Sequence, residues 1–396
     1  MLLYLPIIFS FCCTFSASGQ PVSFAVPVDL SAGTVAGISA LDVADFNQDG
    51  LMDVAVLEGG AHAGGRVTLA WFEMTSEGTW LKHEFGAAED LDDFIGSARC
   101  TDVDGDGDPD LVFTNDGHTS GPLHVFYLDN PGKEKCKETW PRYLIATIEG
   151  FHANDMRVAD MDGDGKTDVV IRHKSPEACR ILFQIDKTSW FDKLVYSGQA
   201  GEGLAVGDID QDGLPDITMT GHWFKTPAEA RLGQYRRYDI DAAYKTINKG
   251  TKEEIGDING DGRPDVVISP AEAFPNYGGA DHDLAWYECP IDPLNSDPWI
   301  KHIIKANYNN AHCVKLADFD GDGDPDILSA VAWEPRSIRI YFNDHGLFEN
   351  SILLVSGNGI YSGAIADMDG DGDLDVVGED QYAHSARPWY YECLLK

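Results

Sequence analysis

From residue 53 onward the chain is punctuated by short apolar runs of β-branched character. They read DVAV (53–56), DLVF (110–113), DVVI (168–171), DITM (216–219), DVVI (265–268), DILS (326–329) and DVVG (375–378). Runs of this length and composition, bounded by polar turns, predict buried strands. Before each lies another short strand-like segment, such as MRVA (156–159), VKLA (314–317) or GAIA (363–366). After it comes an aromatic strand: VTLAWFE (67–73), LHVFYLD (123–129), RILFQI (180–185), LAWYE (284–288), IRIYF (338–342) or PWYYE (388–392). A fourth segment often opens on Trp, as in WLKHEF (80–85), WPRYLIA (140–146), WFDKLVY (190–196) and WIKHIIK (299–305). YRRYDID (235–241) and LFENSIL (347–353) fill the same slot. The pattern is therefore seven repeats of four strands.

The chain stops after the third strand of the last repeat, so SFAVPVD (23–29) is expected to supply the missing one. A ring closed by a strand from the other terminus is how a propeller avoids open edges. The fold class predicted is all-β: a seven-bladed β-propeller with four-stranded blades, closed by an N-terminal strand.

Between the first and second strands of every repeat stands a nine-residue acidic loop. The copies are DFNQDGLMD (45–53), DVDGDGDPD (102–110), DMDGDGKTD (160–168), DIDQDGLPD (208–216), DINGDGRPD (257–265), DFDGDGDPD (318–326) and DMDGDGDLD (367–375). They begin 48 to 61 residues apart, the mark of an internal repeat. Carboxylate or amide oxygens recur at positions 1, 3, 5 and 9, and Gly stands at position 6. Calcium takes six to eight hard oxygen ligands, and Gly permits the sharp turn that gathers them. The Glu at position 12 that completes a helical calcium loop is absent, and a strand follows instead of a helix.

The motif D-x-[DN]-x-D-G-x-x-D flanked by strands closely resembles the FG-GAP or VCBS-type repeats of integrin-like propellers. The resemblance spans residues 20–396. It implies that each loop joins the first two strands of a blade on one face and binds Ca2+, giving up to seven structural ions. The implied ligands are Asp45, Asn47, Asp49 and Asp53 in the first copy, then Asp102, Asp104, Asp106 and Asp110, and Asp160, Asp162, Asp164 and Asp168. The fourth and fifth copies give Asp208, Asp210, Asp212, Asp216, Asp257, Asn259, Asp261 and Asp265. The last two give Asp318, Asp320, Asp322, Asp326, Asp367, Asp369, Asp371 and Asp375. Members of this class include adhesion receptors, lectins and lyases, so the fold does not select a function.

The formal charge of -37 disfavours nucleic acid and anionic lipid as partners. Hydrophobic content of 43% and aromatic content of 11% support a packed core. The apolar N-terminus followed by Ala17-Ser18-Gly19 reads as a secretory signal over residues 1–19, with one propeller domain over 20–396. No later run is apolar enough to span a membrane, so an exported protein is expected. Six cysteines follow residue 20, none in a close Cys-x-x-Cys pair. Cys289 and Cys393 share the contexts WYEC and YYEC, which marks equivalent repeat positions. Disulfide connectivity and oligomeric state stay open.

If the acidic loops share one face, the second strands end on the other. The connecting segments there carry His62, His118, His173, His222, His282 and His384, with Trp333 in the sixth repeat. His152 and His312 precede innermost strands at the same face. Three residues before each loop stand Asp42, Arg99, Arg157, Ala205, Glu254, Lys315 and Ala364, with Asp155 and Lys252 two residues earlier in their strands. Charged groups there cannot pack cheaply between blades, so they are expected in a water-filled central channel. They form either a salt-bridge lattice or an anion-tolerant pocket rimmed by His152 and His312. Trp223, Phe274, Tyr277, Trp333, Tyr361 and Tyr382 are candidates to stack on sugar rings.

Three functions fit. One is binding of an extracellular ligand, above all carbohydrate, through His118, His173, His222, Trp223, Trp333, Tyr361 and His384. Another is a carbon–oxygen lyase acting on sugars by β-elimination. Its base would be His152 or His312, with Arg99, Arg157 or Lys315 stabilising the enolate. The third is integrin-like adhesion.

Overall fold

The computed structural model describes residues 19, 22–35, 37–59, 67–198, 202–246, 250–271, 282–295, 298–308, 310–333, 335–379 and 386–395. It contains seven antiparallel four-stranded sheets. A single 3-10 turn, Ala242–Thr246, is the only helical element among the described residues. We number the sheets as blades 1 to 7 in chain order. Blade 3 shows the plan: Phe151–Ala159 is innermost, followed by Asp168–Lys174, Ala178–Asp186 and Ser189–Ser197. The expected leader lies outside the described residues apart from Gly19.

Each strand type has its own burial pattern, and the residues explain it. Second strands such as Asp168–Lys174 lie between two neighbouring blades and are buried almost throughout, hence their continuous Val and Ile. Outer strands such as Ser189–Ser197 alternate partly buried with exposed positions, because one face meets solvent. The apolar core is divided among the blade-to-blade junctions. Phe46, Trp71, Phe85 and Trp140 pack edge to face between blades 1 and 2. Leu41, Val54 and Val56 of blade 1 meet Ala364, Val377 and Tyr390 of blade 7, so the last junction resembles the others. Full burial of one such side chain contributes about 1.5–3 kcal/mol, and the ring distributes that contribution evenly.

The innermost strand of every blade lies against those of its two neighbours, blade 7 meeting blade 1. At one of these contacts only Gly fits. A Cβ on Gly203, whose φ is +111°, would meet Thr251 Oγ1 of the next blade at 2.2 Å. The sheet of blade 7 takes Val28–Asp29 as its outer strand, paired with Trp389–Tyr391. The ladder is shorter than the segment 23–29 would allow. Pro27 has no N–H to donate, and pairing resumes only as a bridge between Phe24 and Cys393. All six described cysteines are free. Among the described residues no helix is long and apolar enough to cross a membrane.

Candidate functional site

Two groups of charged residues stand apart from the core: the acidic loops on one face, and a channel opening on the other. In the loop of blade 3, Asp160 turns the backbone around itself. Its Oδ1 accepts the N–H groups of Gly163 and Asp164 at 2.8 and 3.1 Å, and its Oδ2 accepts that of Gly165 at 2.8 Å. The position-6 glycines all have positive φ, from +83° to +99°, a conformation side chains resist. Asp168, at position 9, is fully buried and joins two strands. Its Oδ2 accepts Met161 N–H at 2.9 Å and its Oδ1 accepts Gln184 N–H at 2.8 Å. Cys289 and Cys393 hold the slot of Gln184 in their own blades, donating N–H to Asp265 and Asp375 at 2.8 and 2.7 Å. Burial pushes these position-9 acids up, Asp168 to about 7 and Asp53 to about 8.

The donor set suits a hard cation. Carboxylate oxygens of Asp160, Asp162 and Asp168 lie within 4.8 Å of one another, as do those of Asp102, Asp104 and Asp110, and of Asp208, Asp210 and Asp216. Oδ1 of Asp162, Asp210 and Asp320, each at position 3, is buried without a hydrogen-bond donor among the described residues. Oxygen lone pairs held this way are what a cation site requires. The loops are not electrostatically alike, however. Arg231 enters the blade 3 loop and pairs with Asp164 at 2.8 Å and with Asp162. Lys225 bonds Asp210 and Asp212, and Lys187 meets Asp104 at 2.6 Å. These partners lie outside the nine-residue motif, so spacing alone did not reveal them.

The second group lines the channel. Arg99, Arg157, Lys252, Lys315, Asp155, Glu254 and His312 border one cavity of about 50 Å³, together with Ser39, Ser97, Tyr361 and Ser362. Arg157 Nη2 and Lys315 Nζ both lie 3.2 Å from Glu254 Oε1. Burial opposes ionisation of Glu254, but Lys315 and Arg157 hold it below the usual carboxylate range. Lys252 Nζ is 2.9 Å from Asp155 Oδ1 and 3.0 Å from Glu202 Oε2. Asp42 accepts the Cys100 N–H at 2.8 Å. Arg99 makes no ion pair among the described residues; its guanidinium donates to the Ala98 carbonyl. Burial and the neighbouring Arg157 charge lower its pKa.

His312 sits at the channel mouth with its side chain fully buried. Its ring stacks on Tyr361 at 4.5 Å and meets Trp333 edge-on at 4.3 Å. Neither ring nitrogen has a hydrogen-bond partner among the described residues; Nδ1 is 3.8 Å from Glu202 Oε2. Burial depresses its pKa to about 3, so the imidazole is neutral at pH 7.

The structure separates the two histidines grouped by sequence. His152 does not border the cavity. It stacks on Phe94 at 5.0 Å, with the His118 ring 5.2 Å away, and burial lowers its pKa to about 4. Offset explains the split, since His312 stands six residues before its loop and His152 eight. Three other candidates are out of reach of an external ligand. Trp223 is wholly buried against Tyr238, with ring centres 4.7 Å apart. His222 is 2% exposed, and its Nδ1 faces Asp239 at 3.2 Å. His173 is 1% exposed and directs Nδ1 at the Lys174 carbonyl. His62, Phe274, Tyr277, Tyr382 and His384 lie outside the described residues, as does the side chain of His282. Glu202 was not singled out from the sequence. It stands six residues before Asp208, the same offset as His312 and Tyr361 from their loops, so counting back from each loop finds it.

A family model described as the FG-GAP-like repeat matches residues 102–171, 257–329 and 318–378. Among solved structures, the chain is similar to a Bacillus licheniformis rhamnogalacturonan lyase PL11, with 13% identity and a TM-score of 0.51. That match covers 90% of this chain and 71% of the lyase. It is also similar to the V. cholerae biofilm matrix protein Bap1, with 11% identity and a TM-score of 0.49, covering 94% and 91%. No curated protein matches. At 13% identity the likeness to the lyase is one of fold.

Proposed function

Because this chain is a seven-bladed β-propeller carrying FG-GAP-like repeats, we propose that it is an exported, calcium-stabilised binding protein. Its ligand is carbohydrate, held at the channel mouth on the face opposite the acidic loops. Export rests on the residues 1–19 leader. Calcium rests on the orphaned oxygens of Asp162, Asp210 and Asp320, and the ion's role there is to neutralise and fasten each loop.

The observation that carries the reading is the group His312, Tyr361 and Trp333 set over the channel. Trp333 is partly exposed and offers a face for a sugar ring, and behind it the buried His312 ring borders the channel cavity with no hydrogen-bond partner among the described residues. A general base works best with a pKa near the working pH. The feeble basicity of His312 therefore favours binding over β-elimination. A panel of neutral, amino and acidic oligosaccharides, titrated into calcium-saturated protein, tests this. Binding should appear with at least one class and weaken about tenfold or more in Trp333→Ala, as loss of a stacking anchor does. Failure of every class to bind, or an unaffected Trp333→Ala variant, overturns it. Release of an unsaturated sugar product would establish the lyase instead.

A further inference from the structure

We propose that the channel cavity is a carboxylate subsite, taking the acid group of a hexuronic acid whose ring remains at the Tyr361–Trp333 rim. The inference rests on the carbohydrate reading above and adds the chemical class of the sugar.

The cations of the channel are unequally partnered. Lys252 is held between Asp155 and Glu202 at 2.9 and 3.0 Å, and a second cation, Lys174, reaches Glu202 at 3.4 Å. Arg157 and Lys315 share one carboxylate, Glu254. Asp42 also acts on Arg99, and its Oδ2 already accepts a backbone N–H. Of the three cations Arg99, Arg157 and Lys315, Arg99 makes no ion pair among the described residues. A single carboxylate would give it that partner.

Shape agrees with charge. A cavity of about 50 Å³ holds a few waters or one carboxylate, given ~10–15 Å³ for each water. It is too small for a pyranose ring. The Arg99 guanidinium is planar and makes no ion pair among the described residues, and a fork of this kind matches the two oxygens of a carboxylate. Ser97 and Ser362 supply hydroxyls in the same lining. At the mouth the buried imidazole of His312, with no hydrogen bond to either nitrogen among the described residues, is a neutral donor that adds no charge. His312 and Arg99 border the same cavity, so an anion seated there meets both.

Isothermal titration of the calcium-saturated mature chain provides the test. The probes are galacturonate and glucuronate oligosaccharides, their carboxyl-reduced neutral counterparts, sodium acetate and inorganic phosphate. The acidic oligosaccharides should bind about tenfold or more tighter than the reduced ones, the worth of one charge-assisted contact. Arg99→Gln should bring that ratio to within about twofold, and Arg99→Lys should retain part of it. Because Arg99 makes no ion pair among the described residues, Arg99→Gln should melt no lower than wild type, which separates a lost subsite from a lost fold. Equal binding of acidic and reduced saccharides overturns the inference and leaves the carbohydrate reading standing. Retention of the preference in Arg99→Gln overturns it too. If no saccharide binds, both readings fall. Arg99-dependent binding of phosphate or acetate alone would then mark a site for free anions.

Discussion

Replacing Glu254 by Gln removes the one carboxylate that Arg157 and Lys315 share while leaving a side chain of nearly the same shape. Each cation lies 3.2 Å from the same oxygen. At an effective dielectric constant of about 20, each attraction is worth about 5 kcal/mol before any cost is subtracted. Part is offset by the mutual repulsion of the two cations and by the desolvation of Glu254, which the neutral amide avoids. Measured losses on breaking fully buried pairs are about 3–5 kcal/mol, the upper range for side chains that stay 20–27% exposed. An unfolding entropy of about 2.1 cal/mol/K per residue over the 396-residue chain gives roughly 0.8 kcal/mol/K. The melting temperature of Glu254→Gln should therefore fall by about 4–6 °C in calorimetry at pH 7 with calcium present. Adding Lys315→Met removes one stranded cation and should recover about half of the loss. A single variant within about 1 °C of wild type, or a double variant no better than the single, would refute the electrostatic account of the channel.

Chelation should lower the melting temperature of the wild-type protein, since each site held at a hundredfold excess over its dissociation constant adds about 2.7 kcal/mol; an unchanged curve in excess chelator would sink the fastening role given to the ion. His312 should make stability depend on pH. Its folded pKa of about 3 lies below the ordinary 6.5, among Asp155, Glu202, Lys252 and Lys174. The unfolded chain takes up the proton first as pH falls. Its contribution is therefore complete above pH 6.5 and declines towards pH 3, by up to about 1.4 kcal/mol per pH unit. Between pH 6.5 and 5 the wild type should lose about 1.6 kcal/mol more than His312→Gln in denaturant titrations, and parallel curves would contradict the burial argument.

The propeller was legible because its evidence is local and repeated. Nine-residue loops and four-residue apolar runs need no knowledge of distant contacts. The charged positions before each loop could also be read, because a side chain such as Arg157 or Glu254 has no cheap place between blades. The errors came from strand ends. His173 and His222 looked like loop residues, but their strands extend to include them, and a tight turn at Thr220 and Gly221 carries Trp223 straight into the core. The salt links from Arg231 to Asp162 and from Lys187 to Asp104 span 69 and 83 residues. No motif encodes separations of that kind.

The seven acidic loops are nearly interchangeable, and so are the apolar runs that follow them. The channel-facing positions are not: Asp42, Arg99, Arg157, Ala205, Glu254, Lys315 and Ala364 never repeat as a pattern around the ring. Repeat proteins are prone to assemble their units in the wrong order. Here the axis carries acids in blades 1 and 5, cations in blades 2, 3 and 6, and alanine in blades 4 and 7. A ring that placed Glu254 away from Arg157 and Lys315 would leave both cations without the carboxylate they share, a penalty on the wrong order. The uniform loops make blades that fold alike, and the irregular axis gives the native order ion pairs that another order would lose.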